Sequence, residues 1–373
     1  MAQPETLTNT VDFGDNPYLV GPHEPIRQEL DRPELQCLGE VPKDFSGIYL
    51  RNGPNQRFAP FGLHHWFDGD GMIHSAQFKE GEVSYRNKWI KTKGLEKEFD
   101  AGKSIWPGLM DSPNRDLKTS WGSDLWLKDN SNTDISIHAG KAISTFYQCG
   151  DAYALDPVSL DTLGTVDLES KGARLMSAHC MNDEATGDLL FFDYAVKPPY
   201  MTYGVMNKNS ELVNFTPIEL PGARLPHSMA FTPNYSILMD LPMFWDPLLL
   251  EKDIHKVTFY PEMQKHHRKY VDGSIPASTA SKGIEMIASI REAVGNSVEI
   301  LIDCHGNFNV PTAINLANKL EKYDITWFEE PVQPDSNEAL KQVKQSINIP
   351  IAVGERLYTR WGFVPILKEK LAD

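Results

Sequence analysis

Cysteine is scarce in this chain: 373 residues hold four (Cys37, Cys149, Cys180, Cys304), far apart and without a Cys-x-x-Cys pair. A disulfide-stapled scaffold and a zinc ribbon are thereby excluded. Basic clusters are absent too. Thirty-six Lys and Arg stand against fifty-one Asp and Glu, a net charge of −15 with a pI near 5.2. With no run of cations to neutralise phosphates, nucleic acid is excluded as a partner. No apolar run approaches the ~18–20 residues that would span a bilayer. The opening stretch MAQPETLTNTVDFGDNPY has neither the basic start nor the apolar core of a secretory leader. A reduced, cytoplasmic protein is expected, in which the sequons at Asn214 and Asn234 carry no meaning. What is present is ordinary for a folded chain: 41% hydrophobic and 23% charged residues, enough to bury a core. At roughly 150 residues per domain, two or three domains are expected.

Two patterns divide the chain. Up to about residue 250, short runs rich in β-branched and aromatic residues predict strands at Gly47–Gly53, Met72–Phe78, Val83–Thr92, Ile135–His138, Ala142–Gln148 and Ser236–Leu241. Turn clusters such as KEGE, NDEATGD and NKNSE separate such runs, and helical periodicity is almost lacking. A sandwich, barrel or propeller follows. From about 275 the period changes. Ile284, Ile287, Ala288 and Ile290 predict a helix over Ser281–Val294, stopped by Gly295. Strands at Val298–Asp303, Ile325–Phe328 and Ile349–Val353 then alternate with helices at Pro311–Leu320 and Asn337–Gln345, before a last amphipathic stretch. Alternation of this kind predicts βα units on a parallel sheet. Charge shifts at the same place: residues 1–252 hold 22 basic and 35 acidic side chains, residues 253–373 hold 14 and 16. No Gly/Ser linker marks the boundary.

Histidines are the chemical signal of the first part. His64, His65 and His74 crowd HHWFDGDGMIH, while His179 and His227 follow strand-like runs in RLMSAHCMND and ARLPHSMAF. Imidazole suits Fe, Zn and Cu, and ligands from separate strands have no fixed interval. The runs GEVPKDFSGIYLRNGPNQRF, HHWFDGDGMIH, DNSNTDISIHAGKAISTFYQCGDAYALDPVSLDTLG, SAHCMNDEATGDLLFF and LPHSMAFTPNYSILMDLP, in that order, resemble the carotenoid cleavage oxygenases, the family that includes lignostilbene dioxygenases. The resemblance covers about residues 13–250. It implies a seven-bladed β-propeller, a non-haem Fe(II) on four histidines and O₂-dependent cleavage of an alkene C=C into two carbonyl products. It places His179 and His227 on the first two iron ligands, with no motif here for the other two. Gln148 falls where many members have a glutamate that holds a ligand imidazole, and Lys128 falls where stilbene-type members place a lysine near the substrate phenol. The segment GDGMIH itself reads as a turn with a structural aspartate pair rather than as a source of ligands. Family members reach membrane-dissolved substrates through an apolar patch, so the expected partner is a small molecule, with transient contact to a membrane surface.

Carboxylates are the signal of the second part. Asp303, Glu329 and Glu355 stand at or just past the ends of predicted strands, at equal intervals of 26 residues, about one βα unit. Equal spacing puts one carboxylate at the C-terminal tip of each successive strand, where a (β/α)₈ barrel gathers its catalytic groups. Three hard oxygens with open positions suit Mg²⁺. The motifs IDCHGNF, WFEEPVQPD and PIAVGERLYTRWGF resemble the mandelate racemase branch of the enolase superfamily, especially galactonate-type acid-sugar dehydratases. That resemblance covers about residues 280–373. It makes Asp303, Glu329 and Glu355 the Mg²⁺ ligands and His305 the acid on a departing hydroxyl.

The expected fold is therefore mixed: an all-β, partial seven-bladed β-propeller over residues 1–255, a junction at 256–279, and an α/β, partial (β/α)₈ barrel over 280–373. Both resemblances are partial. The capping domain, the first barrel strands and the strands carrying a His–Asp base pair have no counterpart. The reading that follows is a junction of two genes. Three functions are expected in turn: an Fe(II) alkene-cleaving dioxygenase, a Mg²⁺-dependent acid-sugar dehydratase or racemase, or a catalytically dead fusion.

Overall fold

A computed structural model describes residues 12–60, 62–112, 127–147, 150–168, 175–241, 243–252, 254, 256–259 and 273–373. Gln148 and most of the expected junction lie outside the described residues. The chain divides into two compact units, Met1–Tyr260 and Pro261–Asp373.

The first unit is built from antiparallel sheets. One contains β1 (Leu30–Arg32), β2 (Gly47–Pro54), β3 (Gly71–Lys79) and β4 (Glu82–Trp89), in the order β1-β4-β3-β2. A second runs β5 (Asp134–His138), β6 (Lys141–Thr145), β7 (Tyr153–Leu155), β8 (Thr162–Thr165) in sequence. The third has β9 (Met181–Asp183), β10 (Asp188–Tyr194), β11 (Met201–Met206) and β12 (Leu212–Ile218), in the order β12-β11-β10-β9. Two hairpin-like pairs complete it: β13 (Ala230–Thr232) with β14 (Tyr235–Ile237), and β15 (Met243–Trp245) with β16 (Val257–Phe259).

Strand β10 shows why its sequence is a continuous apolar run rather than an alternating one. Successive side chains point to opposite faces. Leu190, Phe192 and Tyr194 enter one core with Trp245 and Met229, whereas Leu189 and Phe191 enter another with Ile143, Ala154 and Met176. Phe191 and Phe192 are both fully buried. Each such side chain contributes about 1.5–3 kcal/mol. Opposite Phe191 in the ladder stands Gly204, where a Cβ would lie 2.3 Å from the ring, so only glycine admits that ring.

One helix of this unit was not expected from the sequence. α1 (Lys93–Ala101) is capped by Thr92 Oγ1, which accepts from Leu95 N at 3.1 Å, and ends on Gly102 at φ 66°. Its signal was legible: a Thr cap, apolar residues Leu95 and Phe99 four apart, and a terminal glycine.

The second unit alternates as its period predicts. α2 (Ala277–Val294), α3 (Val310–Leu320), α4 (Asn337–Lys344) and α5 (Thr359–Glu369) accompany β17 (Ile300–Asp303), β18 (Ile325–Glu329) and β19 (Ile351–Ala352). These strands form a parallel sheet in the order β17-β18-β19. Asn309 and Ser336 cap α3 and α4 through bonds from Thr312 N (3.0 Å) and Ala339 N (3.2 Å). Ala313, Ala317 and Leu320 on one stripe of α3 meet Phe328 and Val343 in the core. Among the described residues no helix is long and apolar enough to cross a membrane.

Candidate metal centre

In the first unit a cleft of about 750 Å³ is lined by Tyr18, Trp66, Phe67, His74, Asn132, Tyr147, His179 and His227, among others. His179 stands two residues before β9 and His227 three before β13, so both hang on loops that enter strands. Their Nε2 atoms face each other at 3.2 Å with the rings at 72°. His179 has a left-handed backbone, φ 60°, uncommon outside glycine. Asp134, the first residue of β5, holds it there. Its Oδ2 accepts from His179 N at 3.1 Å and lies 3.0 Å from His179 Nδ1. Burial pushes the Asp134 carboxyl up, but hydrogen bonds from the His179 ring and from Ile135 N outweigh it and leave the group below the ordinary aspartate range. Partial desolvation at the cleft wall, then the neighbouring His179, lowers the pKa of the otherwise exposed His227.

The three histidines of HHWFDGDGMIH do different work. His65 accepts from Phe67 N at Nδ1 (3.2 Å) while Asp68 accepts from His65 N (2.8 Å), a reciprocal cap on the turn that presents Trp66 and Phe67 to the cleft. His74 Nδ1 is bonded to Tyr85 Oη at 2.7 Å. His64 is buried, and its pKa is pushed down to about 4 by desolvation, then by His65 and Lys128.

Lys128 is not on the wall of the histidine cleft. It is buried with its ammonium bonded to Asp70 and, at 2.6 Å, to Glu98 of α1. Gly94 makes room for the stem, since a Cβ there would lie 2.9 Å from Lys128 Cγ. Burial alone would lower the ammonium, but Asp70 and Glu98 together raise it above the ordinary lysine range. The aspartates of GDGMIH and its approach are tied into the fold: Asp68 accepts from Leu109 N at 2.8 Å and Asp70 from Arg57 N at 2.9 Å.

In the second unit Asp303, His305 and Glu355 come together, with ligand atoms within 4.8 Å of one another. His305 Nδ1 lies 3.5 Å from Asp303 Oδ2 and 3.2 Å from Glu355 Oε1. Arg356 Nε also reaches Glu355 Oε1, at 3.1 Å. Glu329 pairs with Asp303 in the ladder, yet its carboxylate accepts from Trp327 Nε1 at 3.1 Å and is outside that group. Its neighbour Glu330 is buried and accepts from Gly354 N at 2.8 Å, a role in the fold that the sequence did not single out. With the His305 imidazole between Asp303 and Glu355, and Glu329 bonded to Trp327, the three carboxylates expected to hold Mg²⁺ do not converge on one point.

Residues 23–269 match the family described as retinal pigment epithelial membrane protein, and residues 263–373 match the enolase C-terminal domain-like family. The carotenoid 9,10(9′,10′)-cleavage dioxygenase of Crocus sativus is 34% identical over 251 residues, covering 62% of this chain and 45% of that protein. Isoeugenol monooxygenase of Pseudomonas nitroreducens is 34% identical over 232 residues, covering 61% and 48%. The cobalt-substituted apocarotenoid oxygenase of Synechocystis has the same fold over 64% of this chain and 53% of its own, at TM-score 0.52 and 25% identity. The chain thus spans about half the length of the relatives it matches.

Proposed function

The chain belongs to the retinal pigment epithelial membrane protein family over residues 23–269, and on that premise we propose that its inherited chemistry is O₂-dependent cleavage of an alkene C=C at Fe(II). The observation that carries this is the meeting of His179 and His227 Nε2 at 3.2 Å on the wall of the large cleft. Imidazole suits iron, and that distance is the separation of two nitrogens held at ~2.1 Å from one metal and roughly 100° apart. His179 and His227 would hold the iron, which when bound would supply the activation of O₂. The chain's own side chains bind and orient. Trp66, Phe67 and Tyr147 offer aromatic faces for an extended, unsaturated molecule.

A carotenoid, apocarotenoid or stilbene is the proposed substrate class. Two relatives of equal identity are named for unlike substrates, so identity does not choose among these. Three four-stranded sheets stand, in this proposal, as blades of a seven-bladed propeller that supplies two of four ligands. Two ligands hold a metal loosely, so slow turnover, or none without excess iron, is expected. The two family matches overlap only at residues 263–269, which supports a junction of two genes there. We place the protein in the cytoplasm, acting on a small apolar molecule at or near a membrane surface.

Anaerobic reconstitution with Fe(II), or with Co(II) as a coloured stand-in, tests the reading. About one equivalent is expected, and His179→Ala and His227→Ala should each weaken it more than ~100-fold, since losing an outer partner of a ligand already costs 10–100-fold. A wild-type protein that takes up neither metal would overturn the proposal. For the second unit the expected result is weak Mg²⁺ binding, with no saturation below ~1 mM by calorimetry, because Glu329 must leave Trp327 and His305 must swing out. Tight binding would restore a lyase or racemase reading there.

A further inference from the structure

The two imidazoles that face each other are not equivalent, and the difference lies in what their rings meet on the far side. An ionised carboxylate only accepts hydrogen bonds. Asp134 Oδ2 lies 3.0 Å from His179 Nδ1 and 3.1 Å from His179 N. A neutral His179 therefore carries its proton on Nδ1 and presents a lone pair at Nε2. Asp134 is itself held on every side. Its Oδ1 accepts from Ile135 N at 2.8 Å, its carbonyl accepts from Asn52 Nδ2 at 3.0 Å, and its backbone pairs with Thr145 across β5 and β6. His227 is exposed, and among the described residues no carboxylate bonds its ring. With the His179 lone pair 3.2 Å away, the hydrogen of that contact belongs to His227 Nε2.

We propose that Asp134 is a positioning residue that presets His179 as the anchoring ligand, and that His227 joins the metal only after changing tautomer. This rests on reading the pair as a metal centre. The proton count balances without net release: the proton on His227 Nε2 passes to water as the lone pair engages the metal, and water returns one to Nδ1. Exposure of the His227 ring permits that exchange, whereas His179 needs none.

Histidine-¹⁵N NMR of the metal-free protein at roughly pH 8, above the ordinary histidine range, reads the tautomers directly. The expected spectrum shows His179 protonated on Nδ1 and His227 on Nε2. In Asp134→Asn, whose amide can also donate, the His179 preference should be lost, and Co(II) affinity should fall about 10–100-fold, with Asp134→Glu restoring part of it. A fold disturbed without any change of role would move the urea midpoint but not the tautomer. His179 protonated on Nε2 in the wild type overturns the inference even where the variants do not fold. Bound cobalt with unchanged affinity in Asp134→Asn overturns the role of Asp134 alone. A wild type with the expected tautomers that takes up no cobalt overturns the metal-centre reading and the ligand roles with it.

Discussion

Lys128→Met is expected to destabilise the first unit by about 3–5 kcal/mol, the cost of removing one partner from a buried ionic group. The wild-type cluster sets one ammonium between Asp70, just before β3, and Glu98 on α1. All three are nearly inaccessible to water. Methionine matches the stem of lysine but leaves two buried carboxylates without the ammonium that both bond. The loss also reaches the cleft, because Lys128 opens the segment whose Asn132 donates to Phe67 O and Gly69 O at 3.0 and 2.6 Å. Urea unfolding measures it. The triple variant Asp70→Asn, Glu98→Gln, Lys128→Met should recover much of the stability, since no charge is then stranded. A single Lys128→Met within about 1 kcal/mol of wild type would show that water reaches the cluster.

Acid should weaken the fold through His64. Its pKa falls from 6.5 in the unfolded chain to about 4 in the folded one, chiefly by burial. A depressed folded pKa fixes the sign. The stability that depends on a neutral His64 is complete above pH 6.5 and is lost progressively as pH falls through 4. Over that window the loss is about 3 kcal/mol at most, at 1.36 kcal/mol for each unit. His64→Gln keeps a polar side chain without the titration, so its unfolding free energy should fall less steeply between those limits. Parallel slopes for wild type and variant, from urea melts at a series of pH values, would remove His64 as the cause.

Much of the architecture was open to reading because it rests on local periods. The change from alternating runs to helical spacing near residue 275 follows from contacts within a few residues of each position, and α2, α3 and α4 begin and end close to their caps. Thr92, Leu95, Phe99 and Gly102 announce α1, but the strand-like run that precedes it dominates the window. Lys128 shows what no local window carries. A lysine followed by DNSNTD has every local mark of a solvated turn. It is buried because α1 and the approach to β3 bring carboxylates from 30 and 58 residues away.

The sites divide in the same way. Spacing alone placed Asp303 and Glu329 at neighbouring strand ends, which the register of β17 and β18 shows. It could not say that Glu329 turns to Trp327, nor that His305 takes its place between Asp303 and Glu355, because rotamers answer to neighbours rather than to intervals. In the first unit, the family resemblance rather than residue type or spacing marked His179 and His227 as ligand candidates. The separations of 45 from Asp134 to His179 and 48 from His179 to His227 carry no such mark. By itself the sequence determined two periods, two family resemblances and the strand ends near which the carboxylates fall. Only the tertiary structure decided which nitrogen meets which nitrogen, since loops entering different sheets converge through packing that no interval along the chain encodes.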